Sequence, residues 1–97
     1  MLRNMVAARA TDPFPRYGLA MELRKRGEYE EAHQVFAALL EDHASYLPTY
    51  LMAGNLMAER GDPSGAREVY DRGIVVARDA GDGHTQSELE AARAELD

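Results

Sequence analysis

Two stretches decide the fold of this chain: RGEYEEAHQVF at residues 26–36 and RGDPSGAREVY at residues 60–70. They lie 34 residues apart and share an Arg-Gly pair that is followed by Ala, Val and an aromatic residue at matching offsets. An echo at a fixed spacing of this size is typical of proteins built from repeated supersecondary units. We therefore interpret the chain as two copies of one helical unit.

Each copy carries the signals of two helices joined by a glycine. Asp12-Pro13 and Asp62-Pro63 place a capping carboxylate before a proline at the first helical position. Gly27 and Gly61 supply the backbone angles of a tight helix–helix turn, and Gly81 ends a fourth helix. The second helix is predicted at residues 29–43, and the third begins at Pro48. No strand-like alternation is present, so the sequence predicts an all-α fold.

The C-terminal residues predict one more helix, which would cap the repeats. Leu89, Ala92 and Leu96 share one face of it, and Thr85 with Glu88 fits a capping box at its start.

At 97 residues, with 45% apolar side chains and both signs of charge, the chain predicts one globular domain. Its parts are an N-terminal segment (1–11), repeat 1 (13–46), repeat 2 (47–80) and a capping helix (83–97). The first segment has two arginines and no acid, as targeting segments do, but it lacks their sustained apolar run. Leu2, Met5, Val6 and Arg9 follow helical spacing, so we expect a helical or frayed part of the fold.

Composition excludes several classes of function. The chain has no cysteine, which excludes a disulfide framework and is compatible with a cytoplasmic protein. Its longest apolar stretch, residues 35–40, is too short to cross a membrane. A net charge of −6 disfavours nucleic acid as a partner. The charge is unevenly distributed, since residues 1–26 carry six basic and two acidic side chains and the rest carry five and fifteen.

Catalysis, a metal site and a cofactor are not expected. His33 and His43 lie on different rows of one predicted helix, and no carboxylates complete a metal site around them. His84, Ser87 and Glu88 crowd one helical turn, where they cannot surround a scissile bond. No glycine loop of the phosphate-binding kind is present.

The two units resemble the tetratricopeptide repeat (TPR) family. The matching positions of unit one are Arg16, Leu19, Ala20, Leu23, Gly27, Ala32 and Phe36; those of unit two are Tyr50, Ala53, Gly54, Met57, Gly61, Ala66 and Tyr70. The chain is also similar to short bacterial two-repeat members, on Asp12-Pro13-Phe14 near one end and residues 81–89 near the other. The family's closing proline is absent, because Ala44 and Arg78 stand at its positions.

The resemblance implies an α-solenoid of antiparallel helix hairpins whose concave face is lined by the first helix of each unit. Mapped onto this sequence, that face presents Phe14, Tyr17, Met21, Arg24, Lys25, Leu51 and Asn55. The expected function is a non-enzymatic adaptor that binds a partner protein or peptide, one with acidic residues, on apolar anchors beside a basic edge. The chaperone-tail clamp of some members is disfavoured, since only Asn55 matches its polar set.

Three alternatives stay open at this stage. Tyr17, Met21 and Leu51 can instead pack against the N-terminal or capping helix. The basic run Arg24-Lys25-Arg26 can simply complement the helix dipole. The whole chain can be a self-associating structural module, because two repeats leave apolar surface that a homo-oligomer would cover.

Overall fold

The computed structural model describes residues 12–96, which form helices and turns and contain no strand. The helices are α1 (Pro13–Lys25), α2 (Tyr29–Asp42), α3 (Pro48–Glu59), α4 (Pro63–Asp79) and α5 (Gly83–Ala94). The all-α prediction is confirmed. The predicted N-terminal segment, residues 1–11, lies outside the described part of the chain.

The chain divides into two units, Met1–His43 and Ala44–Asp97. In unit 1, α1 and α2 pack against each other as an antiparallel hairpin. Arg16, near the start of α1, donates to Asp42 at the end of α2 over 2.7 Å, which fixes the opposite directions of the two helices. The buried side chains of this hairpin are Leu19, Ala20, Leu23, Ala32, Phe36, Leu39 and Leu40.

In unit 2, α4 packs against both α3 and α5, and α5 also contacts α3. The close approach of α3 and α5 to α4 depends on Gly73 of α4. A Cβ atom there would lie 2.6 Å from the Tyr50 Cβ and 2.9 Å from a methyl carbon of Leu89. Tyr50 and Leu89 are themselves buried, so this one glycine brings α3 and α5 onto α4.

Three helices, α1, α3 and α4, each end in a turn of the same type. Gly27, Gly61 and Gly81 have φ angles of 79°, 83° and 73°, in the left-handed region that glycine adopts without steric cost. After the first of them, the Glu28 N–H donates to the Leu23 carbonyl over 2.9 Å, and the Gly27 N–H donates to the Arg24 carbonyl. The same pair of hydrogen bonds follows α3 and α4. It is the Schellman arrangement, which satisfies carbonyls that a helix end leaves free.

Aspartates begin three of the helices. The side chains of Asp12, Asp62 and Asp82 accept hydrogen bonds from the Phe14, Gly65 and Thr85 N–H groups, at 3.0, 2.9 and 3.0 Å. The expected capping box of Thr85 with Glu88 is wrong. Asp82 is the cap of α5, and the Thr85 hydroxyl donates back to its carboxylate over 2.7 Å.

The connection between α2 and α3 has no turn glycine. α2 ends at Asp42, one residue before the predicted end. Ala44, which stands where the family has its proline, accepts a hydrogen bond through its carbonyl from the Tyr50 hydroxyl. A tyrosine of α3 therefore holds the loop that precedes that helix.

Candidate functional site

The residues predicted to bind a partner fall into one set in each unit. Phe14, Tyr17, Met21, Arg24 and Lys25 lie on α1, at helical spacing along one side of that helix. Leu51 and Asn55 lie one turn apart on α3. Each set uses a surface of the first helix of its unit that the packing of that unit leaves at least partly open.

On α1 the apolar members differ in exposure. Phe14 is 65% exposed, whereas Tyr17 and Met21 are half-buried. The Tyr17 ring meets the buried Phe36 ring edge to face, with centroids 6.5 Å apart and planes at 61°. Tyr17 therefore packs against the core of unit 1 and is only partly exposed.

The basic run at the end of α1 divides into different environments. The Arg26 side chain donates to Glu22 one turn earlier, over 3.1 Å, so this charge is used within the helix. Arg24 is half-buried. Lys25 is exposed, and no ion-pair partner for it occurs among residues 12–96. Lys25 is the member of the run that is best placed to meet a carboxylate from outside.

On α3, a tyrosine of α4 orients the Asn55 side chain. The Tyr70 hydroxyl donates to the Asn55 Oδ1 over 2.5 Å, and both groups are partly buried. With its oxygen held in this way, the amide directs its Nδ2 hydrogens elsewhere. Asn55 is therefore a hydrogen-bond donor of fixed orientation beside the half-buried Leu51.

The environment of Tyr70 keeps that hydroxyl protonated. Burial raises the pKa of Tyr70 above its ordinary value, and the negative charge of Glu59 raises it further. The Tyr70 ring lies against Gly54, where an added Cβ would stand 2.3 Å from a ring carbon. The glycine of α3 thus makes room for the ring that orients Asn55.

Two features of these surfaces are absent from the sequence interpretation. The hydrogen bond between Tyr70 and Asn55 joins residues 15 positions apart, on different helices. Gly18 lies exposed on α1, between Phe14 and Met21, and nothing lies within 4 Å of the Cβ it lacks. The second feature has a signal in the sequence, because a glycine within a helix weakens it unless another group needs the space.

The described residues contain no group of three or more His, Asp or Glu side chains able to hold a metal ion. His84 and Glu88 form an exposed pair, with 3.7 Å between the His84 Nε2 and a Glu88 oxygen, on one turn of α5. Within residues 12–96, every helix falls short of the length and apolar character needed to span a bilayer.

Comparison with known proteins gives consistent similarities. The tetratricopeptide repeat model matches residues 23–96. A TPR repeat-containing protein of Pseudomonas aeruginosa is 25% identical over 96 residues, which are 99% of this chain and 91% of that protein.

Solved structures agree with these matches. The solution structure of a tetratricopeptide repeat domain protein from Salinibacter ruber superposes on this chain with a TM-score of 0.85 and is 35% identical in sequence. The match covers 89% of this chain and 87% of the Salinibacter chain. The crystal structure of that domain gives a TM-score of 0.82 at 35% identity, over 88% of this chain and 94% of its own. A protein from Bordetella parapertussis shares the fold, with a TM-score of 0.81 at 23% identity over 98% of this chain and 83% of its own.

Proposed function

This chain belongs to the tetratricopeptide repeat family, whose members generally act as protein–protein interaction scaffolds without catalysis, and we propose that it is a partner-binding adaptor of that kind. The proposed binding faces are the surface of α1 with Phe14, Tyr17, Met21, Arg24 and Lys25, and the surface of α3 with Leu51 and Asn55. The observation that carries the proposal is the high exposure of Phe14, beside half-buried Tyr17 and Met21 on one helix. Aromatic anchors of this type are enriched where proteins bind other proteins.

On α3, the chemistry suits the backbone of a peptide. The Asn55 amide has its oxygen engaged by Tyr70, so its Nδ2 can donate to a main-chain carbonyl of the partner. Leu51, one turn away, would receive an apolar side chain of the same segment. The Asn55 donor has a fixed orientation and lies beside an apolar contact. These two groups select the direction in which the peptide chain runs, and the spacing between its carbonyl and its apolar side chain, more than they select its sequence.

On α1, the partner is expected to bring an acidic residue. Lys25 has no ion-pair partner among the described residues, and it lies at the end of the surface that Phe14 begins. The negative end of the helix dipole stabilises this charge before a partner arrives, so Lys25 need not be neutralised within the chain. A carboxylate one or two residues beyond the partner's apolar anchor would reach it.

Charge reversal at Lys25 tests the proposal. The tagged chain and its Lys25→Glu variant are used to capture partners from an extract of the source organism, and the affinity for each captured protein is then measured. Loss of one attraction and gain of one repulsion at the rim predict a fall in affinity of about tenfold, which corresponds to about 1.4 kcal/mol.

The matched control is Arg78→Glu. Arg78 is also exposed and also lies in the last turn of its helix, but it is on α4, a helix that carries neither proposed face. It should leave the affinity close to that of the unaltered chain. Equal effects of the two variants would contradict the proposal. Retention of only untagged copies of the chain would instead assign the faces to self-association and overturn the adaptor function.

A further inference from the structure

The outward side of α4 carries four charges around an exposed valine. The buried side of this helix consists of Ala66, Val69, Tyr70, Gly73 and Ala77. Val75 lies opposite the middle of that buried set and is 44% exposed. The charged residues that flank it are exposed as well: Asp71, Arg72, Arg78 and Asp79. We call Val75 and these four charged residues the α4 face.

The order of the charges is reversed between the two sides of Val75. At about 3.6 residues per turn, Arg72 and Asp79 lie two turns apart on one side, with the cation nearer the start of the helix. Asp71 and Arg78 lie two turns apart on the other side, with the anion nearer the start. The α4 face is therefore complementary in charge to a copy of itself that runs in the opposite direction.

Most of these charges are not used within the chain. Among residues 12–96, no ion pair involves Arg72, Arg78 or Asp79. Asp79 lies at the end of α4, where the negative end of the helix dipole destabilises a carboxylate. Asp71 accepts a hydrogen bond from Arg93 of α5, and a carboxylate has further lone pairs for a second cation. The α4 face thus offers charges that a second molecule can pair.

We propose that the α4 face pairs with the α4 face of a second copy of this chain, antiparallel to it, about a two-fold axis at Val75. Arg72 then meets Asp79 of the second copy, and Asp71 meets its Arg78. The two-fold axis repeats both contacts, so four ion pairs surround the two valines. The members of each pair are offset along the helix by about 1.5 Å, the rise of one residue, which a long arginine side chain accommodates.

The symmetry of the pattern identifies a second copy as the occupant. An isologous interface requires every charge to meet its opposite when the direction of the helix is reversed, and the α4 face meets this requirement at all four charged positions. An interface with a different protein imposes no such condition. Val75 agrees with this assignment, because a β-branched residue disfavours an exposed helix and its apolar surface is stabilised when covered.

Pairing through one helix is weak and reversible. Two helices in contact over a few turns bury less than the roughly 1,200 Å² at which stable protein interfaces begin. Exposed ion pairs add little and are screened by salt. The copies therefore associate only at high protein concentration. None of the five residues belongs to the faces of the proposed function on α1 and α3, so a partner and a second copy do not compete for the same side chains.

Disulfide trapping tests the arrangement at its centre. The chain has no cysteine, so a single introduced thiol forms a protein disulfide only with its counterpart in another copy. Helix axes about 8–10 Å apart bring the two Cα atoms at the two-fold axis to about 4–5 Å, a separation that a disulfide spans.

The measured quantity is the rate at which Val75→Cys forms a covalent dimer with copper–phenanthroline as oxidant. The reference is Gln34→Cys, at an exposed position on α2. Each rate is divided by the rate at which the same thiol reacts with a small aromatic disulfide reagent, which corrects for differences in exposure and reactivity of the thiol.

We expect the corrected rate of Val75→Cys to exceed that of Gln34→Cys about tenfold or more, because pairing raises the effective concentration of the second thiol. Adding Arg72→Asp places like charges together in two of the four pairs and should slow trapping severalfold. Adding Arg72→Asp together with Asp79→Arg restores opposite signs and should restore the rate. A merely structural effect of position 72 would not be reversed by the second substitution.

Equal corrected rates for Val75→Cys and Gln34→Cys would overturn the proposal. So would an unchanged rate with Arg72→Asp, or a double exchange that stays as slow as the single reversal. Circular dichroism verifies that the helices remain formed, since all the substituted residues are exposed. The experiment uses the purified chain without a partner, so its outcome is independent of the capture experiment that tests the proposed function.

Discussion

At the scale of single residues, Gly54 and Tyr70 form the contact on which the α3 surface depends. The added methyl of a Gly54→Ala variant would lie 2.3 and 2.7 Å from two carbons of the Tyr70 ring. Tyr70 is buried and cannot move without displacing its neighbours. Overpacking of this kind costs about 1–3 kcal/mol, so we expect the thermal midpoint of the variant to fall by several degrees.

The control for this prediction is Gly83→Ala. Gly83 begins α5, and a Cβ there would have nothing within 4 Å. Both variants add the same methyl group to a helix, and thermal unfolding followed by circular dichroism compares them directly. If both midpoints stay at that of the unaltered chain, the close contact between α3 and the Tyr70 ring is wrong.

The residues of this contact were predictable, but their chemistry was not. The repeat spacing marks Gly54 as a position of close helix approach and Tyr70 as a large buried residue, because both follow from sequence register. The hydrogen bond from Tyr70 to Asn55 depends on side-chain torsion angles and on how two helices cross. Those quantities arise from packing, and no spacing of residue types contains them.

At the scale of elements, the start of α5 shows why Thr85 was predicted to cap this helix although Asp82 does so. Both Asp82 and Thr85 are good capping residues, and each has a suitable partner three positions later. In the structure Thr85 becomes the partner of Asp82, since its N–H and its hydroxyl both donate to that carboxylate. The carboxylate, with its full charge at the positive end of the helix dipole, is the stronger acceptor of the two.

The cap of α5 gives a prediction with a defined pH dependence. The hydrogen bonds from Thr85 lower the pKa of the Asp82 carboxyl below its ordinary value of 3.8, and the nearby His84 lowers it as well. A carboxyl whose pKa is depressed by folding adds stability above its unfolded pKa, and this stability is lost as the pH falls through the folded pKa.

The variant that isolates this effect is Asp82→Asn, which keeps an acceptor for the Thr85 N–H but cannot ionise. It should melt below the unaltered chain at neutral pH, and the difference should shrink as the pH is lowered from about 5 to about 2.5. Glu68→Gln serves as the control, because Glu68 is exposed on α4 and has no hydrogen-bond partner among the described residues. If the difference in melting temperature between Asp82→Asn and the unaltered chain stays constant over this pH range, the charge of Asp82 does not contribute to stability as proposed.

At the scale of the whole molecule, the proposed faces are parts of two separate units. The repeat pattern predicts that a partner binds the sides of α1 and α3 that lie opposite their small and large buried residues. It could not predict which protein binds there, since Phe14, Tyr17 and Met21 share no pattern that identifies one partner. The identity of a partner depends on affinity, which residue spacing does not encode.

If the chain is an adaptor of the proposed kind, its partner contacts the surfaces of α1 and α3 and leaves the rest of the described surface free. Hydroxyl-radical footprinting of the chain with and without its captured partner tests this claim most directly. Tyr29 and Val75, which are 46% and 44% exposed on α2 and α4, serve as references.

We expect the partner to slow labelling of Tyr17 and Leu51 severalfold and to leave labelling of Tyr29 and Val75 unchanged. Protection of Tyr29 and Val75, with Tyr17 and Leu51 labelled as in the free chain, would contradict partner binding on α1 and α3.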